Sequence, residues 1–382
     1  MEVYEGYDYK TKEPIKIEVE NGEIVSVEKS SYNGSCFIAP GLVDLQINGY
    51  KGFNFNRKEL KESDVIAVTH LIWEQGVTTY FPTIVTNSDE NILASLEVIA
   101  TTCENNRTIN KSIGGIHLEG PFLSEEDGPR GAHPLKYIKA PDWKLFCKWQ
   151  EAAGGRIRII TLTPEWPGSI DFIKRCVRSG VTVSIGHTSA NSEQIQEAID
   201  AGASMSTHLG NAAHLLLPRH PNYIWDQLAA DDLWSTIIAD GFHLPQSVLK
   251  VFLKVKPEKC LLVSDATNFA GLEPGSYTSH IGGEVELNEA GRLYIRDNPK
   301  LLAGSAQSLL WCVNHLVNSG ITSLENALEM ASVKPMEALS VTAPNRIEKG
   351  KSADLILFER KDKEIKLVQT IKSGRPVFSK EQ

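Results

Sequence analysis

The chain has 382 residues, 41% of them hydrophobic, enough to bury a large core without disulfides or a metal merely to hold it together. A formal net charge of -9 and the lack of long Lys/Arg clusters argue against nucleic acid or an anionic membrane surface as a partner. No run of about 18 apolar residues occurs, so no helix is expected to cross a membrane, and the opening Met-Glu-Val-Tyr-Glu-Gly, with neither a basic nor an apolar leader, points to a cytoplasmic protein.

Residues 1-39 alternate in the manner of a half-buried sheet, with Ile15, Ile17 and Val19, a turn at Asn21-Gly22, then Ile24, Val25 and Val27. Two further strands are predicted at Gly350 to Phe358 and at Ile365 to Ile371. The two ends, 1-39 and 347-382, are therefore expected to close one small β-sandwich domain around an inserted unit of residues 40-346.

That unit begins at Ala39-Pro40-Gly41-Leu42-Val43-Asp44-Leu45-Gln46-Ile47-Asn48-Gly49, a turn feeding a short strand. Helical spacing over 63-75 puts Val65, Val68, Leu71 and Ile72 on one face, and a second strand follows over 76-85. The alternation continues with helices near 89-104, 141-152, 169-179 and 192-201, and strands at 111-119, 156-163, 181-187 and 203-208. Strands Ser235 to Asp240 and Cys260 to Asp265 complete the set, before a helix from Ser305. Eight strands mostly alternating with helices predict an α/β fold, a (β/α)8 barrel of the TIM type. The six cysteines (Cys36, Cys103, Cys147, Cys176, Cys260, Cys312) include no C-x-x-C pair and read as reduced thiols.

Four of these strands share a design: a short apolar run that delivers one polar residue at its C-terminal end. They end in Glu119, His187, His208 and Asp265. In a parallel barrel the C-terminal strand ends converge, and catalytic residues sit there. One carboxylate with two imidazoles is a ligand set for a catalytic divalent ion and leaves a position open for water, whose pKa the ion lowers toward about 7. Asp265 is then placed as general base toward the water and general acid toward the leaving group.

With those residues in hand, the sequence resembles the amidohydrolase superfamily and, within it, the deacetylases of N-acetylated amino-sugar phosphates. The resemblance runs from Pro40-Gly41-Leu42-Val43-Asp44 to Gly350-Lys351-Ser352-Ala353-Asp354-Leu355. It is carried by His117-Leu118-Glu119-Gly120-Pro121-Phe122, Gly186-His187-Thr188, Thr207-His208-Leu209-Gly210-Asn211-Ala212, Ile238-Ala239-Asp240-Gly241-Phe242-His243, Val263-Ser264-Asp265-Ala266 and Leu302-Ala303-Gly304-Ser305. Most amidohydrolases have a His-x-His pair on the first strand, where this chain has Gln46-Ile47-Asn48. Neutral amides are poor ligands beside imidazole, so one divalent ion per subunit, Zn or Fe(II), is expected.

The resemblance implies further roles. Ala132 and His133 would lie on the substrate, with His133 donating to the scissile carbonyl oxygen. Asn211, Ala212, His243 and the backbone of Leu302, Ala303 and Gly304 would contact the sugar phosphate. Arg219 would reach its phosphate in the neighbouring subunit of a homodimer. The sequence departs from the family at Gly210, at Ala213 and through His214 to Trp225, in the loop that would recognise the substrate. The implied reaction is deacetylation of an N-acetylated amino-sugar phosphate. Another N-acyl substrate (a different N-acetylated sugar, an N-acyl amino acid, a dipeptide or a cyclic amide) stays open, and so does an inactive relative acting as a scaffold, which would be expected to have lost the ligands or the acid/base.

Overall fold

The computed structural model describes residues 1–279, 283–340, 345–361 and 364–380. The last two residues of the expected C-terminal segment lie outside these. The chain opens with β1 (Glu2–Asp8), β2 (Pro14–Glu20), β3 (Glu23–Lys29) and β4 (Phe37–Pro40). Along β2, Ile15, Ile17 and Val19 alternate with polar residues, so one face is buried and the other meets water. Asn21 and Gly22, at φ 53° and 88°, make the tight β2–β3 turn that the Asn-Gly pair predicts.

The barrel begins with β5 (Leu42–Ile47). A short hairpin of β6 (Gly49–Tyr50) and β7 (Phe53–Asn54) precedes α1 (Glu62–Trp73) and β8 (Val77–Val85), and α2 (Asp89–Asn105) and α3 (Arg107–Ser112) lead to β9 (Ile116–Glu119). Then come α4 (Trp143–Ala152), β10 (Ile157–Leu162), α5 (Ser169–Arg178), β11 (Thr182–Ile185), α6 (Ser192–Asp200), β12 (Met205–Ser206), α7 (Tyr223–Ala229), β13 (Trp234–Ile237), α8 (Gln246–Val255) and β14 (Cys260–Leu262). An antiparallel sheet of β15 (Gly275–Ser279), β16 (Gly283–Leu287), β17 (Leu293–Ile295) and β18 (Asn298–Leu302) follows. The chain ends with α9 (Leu309–Asn318), α10 (Leu324–Met330), α11 (Val333–Ala338), β19 (Leu355–Lys361), β20 (Glu364–Lys372) and β21 (Arg375–Ser379).

The eight parallel strands pair in chain order from β5 through β8 to β14. The gap between the first and last is bridged just beyond β14, where Asp265 N–H donates to Gln46 O (2.9 Å) and Asn48 N–H to Ala266 O (2.8 Å). Val43, Leu45, Phe81, Ile159, Met205, Ile238 and Leu261 fill the barrel, while Val65, Val68 and Ile72 of α1 pack in the layer between strands and helices. Each such side chain contributes roughly 1.5–3 kcal/mol of burial.

The terminal strands form one mixed sheet of order β21-β20-β19-β4-β1-β2-β3. Its ends curl toward each other: Tyr4 Oη–H donates to Gly374 O (2.9 Å), Gly350 N–H donates to Ile24 O (2.8 Å), and Ile17, Val19, Ile24, Ile38, Leu355 and Ile371 pack between. The two layers of the expected sandwich are thus one continuous sheet. Buried Lys372 pins it to the barrel base, pairing with Asp354 (2.7 Å) and donating to Thr79 Oγ1 (3.1 Å).

Details differ from the sequence reading, which placed no helix where α7 and α8 lie and began the last helix at Ser305 rather than Leu309. The strand expected from Lys111 begins only at Ile116, because the Asn106 side chain accepts from Thr108 N–H and Ile109 N–H and starts α3 there. The strand expected over 203-208 shortens to Met205–Ser206, the chain turning into positive φ at His208. The β15–β18 sheet was not anticipated.

Candidate metal centre and active site

Glu119 is the last residue of β9, and every residue of that strand is buried. His187, His208 and Asp265 lie two or three residues past the ends of β11, β12 and β14, all with positive φ (51°, 29° and 48°). A non-glycine residue in that region costs of order 1–3 kcal/mol, so the surroundings must impose it. Ser124 N–H holds His187 O (2.9 Å), Thr236 Oγ1 accepts from His208 N–H (2.7 Å), and Gln46 O accepts from Asp265 N–H (2.9 Å). The turn at Gly120 is tight as well: at φ 83°, a Cβ there would lie 2.3 Å from Thr86 Oγ1.

The side chains meet over the barrel axis. Glu119 Oε1 is 3.1 Å from His187 Nε2 and 3.2 Å from His208 Nε2, and the two imidazole nitrogens are 3.1 Å apart. His187 Nδ1 faces the carbonyl of Pro129 at 3.0 Å. A carbonyl can only accept, so Nδ1 carries a proton, which leaves Nε2 as the ring atom that can offer a lone pair to an ion. A cation among these atoms stabilises such an arrangement. Donors about 2 Å from a tetrahedral ion are separated by roughly 3.3 Å, so the triangle fits a divalent ion. Glu119, His133 and His187 form a wider grouping, with ligand atoms within 4.8 Å of one another.

Burial pushes the Glu119 carboxyl up, but hydrogen bonds and charge from His187 and His208 outweigh it and hold the group well below the usual carboxylate range. Asp265 is the opposite case: burial, then repulsion from Glu119, raise its carboxyl to about 7 against the pull of His208 and Asn48. Burial, followed by the charge of His187, lowers His133 to about 3, so this imidazole is neutral at pH 7. Its Nδ1 lies 2.8 Å from Thr86 Oγ1, and its ring meets that of His187 edge to face, centroids 4.4 Å apart.

The amides of the first barrel strand point at carboxylates: Gln46 Nε2 donates to Glu119 Oε1 (2.9 Å) and Asn48 Nδ2 to Asp265 Oδ1 (2.8 Å). Their nitrogens, which cannot ligate, face the site. Asp44, at the same two-residue spacing, is buried and accepts from Ser264 N–H (3.1 Å), Ser264 Oγ–H (2.5 Å) and Gln46 N–H (3.3 Å).

A model of the amidohydrolase family matches residues 37–377. The N-acetylglucosamine-6-phosphate deacetylase of Bos taurus is 32% identical over 358 residues, covering 91% of this chain and 85% of the relative. That of Lysinibacillus sphaericus is 30% identical over 344 residues, covering 89% and 85%. The crystal structure of the Pasteurella multocida enzyme of that name superposes with a TM-score of 0.87 at 26% identity, covering 98% of this chain and 99% of that one. This chain belongs to the amidohydrolase family.

Within this amidohydrolase the residues read from the sequence are distributed unevenly. Glu119, His187, His208, His133 and Asp265 are brought together. Asn211 and Ala212 line one crevice with His187, Thr188 and Tyr223, and Asn211 N–H donates to His208 O (3.0 Å). His243 is held by Asp240, its Nδ1 2.7 Å from Oδ2. Leu302 ends β18, Ala303 packs against the Phe269 and Val285 cluster, and Gly304 takes φ 92°. Ala132 is exposed beside His133. Arg219 stands exposed in the 213–222 loop near Leu215 and Leu216, 88% and 90% exposed, and among the described residues no hydrogen bond or ion pair joins it to the metal triangle. The sequence reading missed Thr86, Asp240 and Asp44 as supports; for Asp44, the period-two series Asp44, Gln46, Asn48 was the available signal.

Proposed function

We propose that this amidohydrolase removes the acetyl group from N-acetylglucosamine 6-phosphate, giving glucosamine 6-phosphate and acetate. The observation that carries the reading is the 3.1–3.2 Å triangle of Glu119, His187 and His208 with Asp265 beside it, in a chain whose relatives bear that enzyme name. One divalent ion per subunit, Zn or Fe(II), fits those three atoms and supplies Lewis-acid chemistry, lowering the pKa of a water toward about 7. Asp265, with a carboxyl near neutrality, takes a proton from the attacking water as the new C–O bond forms and returns it to the amide nitrogen as the C–N bond breaks. Neutral His133 donates to the carbonyl oxygen, where negative charge develops.

Asn211, Ala212, His243 and the Leu302 to Gly304 backbone bind the sugar phosphate, joined by Arg219 of a second subunit in a homodimer. Residues 40-346 carry the chemistry, flanked by a terminal domain of 1-39 and 347-382. The enzyme works in the cytoplasm in this reading; separately, no helix among the described residues is long and apolar enough to cross a membrane. The departures at Gly210, Ala213 and the His214 to Trp225 segment favour, as the second reading, the same chemistry on another N-acyl compound.

Incubation with a panel of N-acetyl sugar phosphates, N-acyl amino acids and cyclic amides tests the choice. Acetate and glucosamine 6-phosphate in equal amounts are the expected products. A better rate on an N-acyl amino acid or cyclic amide would transfer the assignment to that substrate.

A further inference from the structure

Glu165 lies just beyond the end of β10 and touches neither the metal triangle nor Asp265, yet its carboxylate gathers donors from the turn that follows His187. Its Oε2 accepts from Thr188 Oγ1–H (2.8 Å) and Ser189 N–H (2.9 Å), and its Oε1 from Ser189 Oγ–H (2.7 Å). The Thr163 hydroxyl also reaches Oε2. Thr188 Oγ1 in turn accepts from Ala190 N–H (3.0 Å), so one carboxylate organises the turn over 188–190. On the other side, Ser124 N–H fixes His187 O (2.9 Å) and Ser124 Oγ lies 3.1 Å from Ser189 Oγ.

His187 sits in this turn at φ 51°, a conformation an ordinary side chain avoids. Outside the triangle, its ring makes one polar contact among the described residues, Nδ1 to Pro129 O. If the turn relaxed toward negative φ, the imidazole would swing out of the triangle while leaving the barrel strand intact. We propose that Glu165 is a positioning residue for the metal centre: by clamping Thr188 and Ser189 it holds His187 in the left-handed conformation that points Nε2 at Glu119 and His208. The inference rests on the reading of His187 as a ligand. It assigns Glu165 a geometric role, because its described donors are three hydroxyls and one backbone N–H, shared between its two oxygens, which a neutral amide side chain in the same place could also satisfy.

The test measures zinc affinity by competition with a chromophoric chelator, for wild type, Glu165→Ala, Glu165→Gln and, as a stability control, Asp142→Ala. The last removes the α4 cap, where Asp142 accepts from Lys144 N–H and Leu145 N–H, bonds that involve neither the Glu165 partners nor the triangle. Removing partners behind a metal ligand costs about 10- to 100-fold in affinity, so Glu165→Ala is expected to bind zinc at least about tenfold more weakly. Glu165→Gln can keep its oxygen in place of Oε2 and turn its amide toward the reversible Ser189 hydroxyl, so it should stay within about threefold of wild type. Asp142→Ala should lower the unfolding temperature and leave zinc affinity unchanged.

Unchanged affinity in Glu165→Ala would overturn the proposal, as would an equal loss in Glu165→Ala and Glu165→Gln, which would make charge the operative property. If Glu165→Ala is too unstable to assay, Ser189→Ala, which removes one clamped hydroxyl, must weaken zinc binding by more than Asp142→Ala does, or the clamp is disproved. Wild type that binds no zinc would overturn the ligand assignment and this proposal together, whereas tight binding in wild type and all variants would overturn only this one.

Discussion

Asn48 Nδ2 donates to Asp265 Oδ1 across 2.8 Å, joining the first barrel strand to the residue just past the last. The contact fixes one carboxylate oxygen of a group that burial and Glu119 push to about 7. A carboxyl poised there suits proton transfer in both directions. Asp265→Asn is therefore expected to keep its metal and fold while kcat falls about 10²-fold or more, KM changing far less because the loss lies in the transition state. Steady-state kinetics with metal analysis checks this. Near-normal kcat would remove Asp265 from the mechanism, and loss of the metal would recast it as a ligand.

The proposal of a single ion rests on Gln46 and Asn48 turning their nitrogens to carboxylates. Elemental analysis of the active enzyme should find one divalent ion per chain, and His187→Ala/His208→Ala should lose it. Two stoichiometric ions, or full retention in the double variant, would contradict the assigned ligand set.

How far the sequence carries depends on whether a feature is local. Glu119, His187, His208 and Asp265 were legible because each closes a short apolar run, and strand ends of a parallel barrel must meet. The helix at Arg107–Ser112 was hidden behind Ile109 and Ile113, which read equally well as strand, and the deciding contact is the Asn106 cap. The β15–β18 sheet buries only a few residues, such as Val285, Leu287 and Leu293, too sparse a pattern to stand out, although Glu284-Val285-Glu286-Leu287 does alternate. Glu165 and Asp44 act on partners in other strand–loop units, Ser189 and Ser264, and such contacts exist only once the register between strands is set.

Ser264 offers a pH-resolved test of the barrel closure. Burial raises the Asp44 carboxyl to about 6, while bonds from Ser264 and Gln46 restrain the rise. A carboxyl raised above its unfolded value of about 3.9 contributes stability that is full below that pH and is lost as pH rises through about 6. Ser264→Ala removes the Oγ–H donor and raises the folded value further. It should therefore destabilise by about 1–3 kcal/mol at pH 8 and by less at pH 5. Denaturant unfolding at the two pH values decides, and an equal or larger cost at pH 5 would refute the charge assignment.

Arg219 is exposed within its own subunit, and the dimeric reading has it act in the neighbouring one. Arg219→Ala should raise KM for the 6-phosphate with little change in kcat, since holding phosphate contributes equally to ground and transition states. Mixing it with Asp265→Asn should restore sites that combine an intact Asp265 with a partner's arginine, and with them a low-KM component. No restoration after subunit exchange would place Arg219 outside the neighbour's site.

The most direct test of the central claim is kcat/KM for acetate release from N-acetylglucosamine 6-phosphate against unphosphorylated N-acetylglucosamine. Charge-assisted bonds to a phosphate contribute about 1.5–3 kcal/mol each, so the phosphorylated sugar should be preferred by about tenfold or more. Equal rates on the two sugars, or no acetate from either with the metal bound, would contradict the assignment.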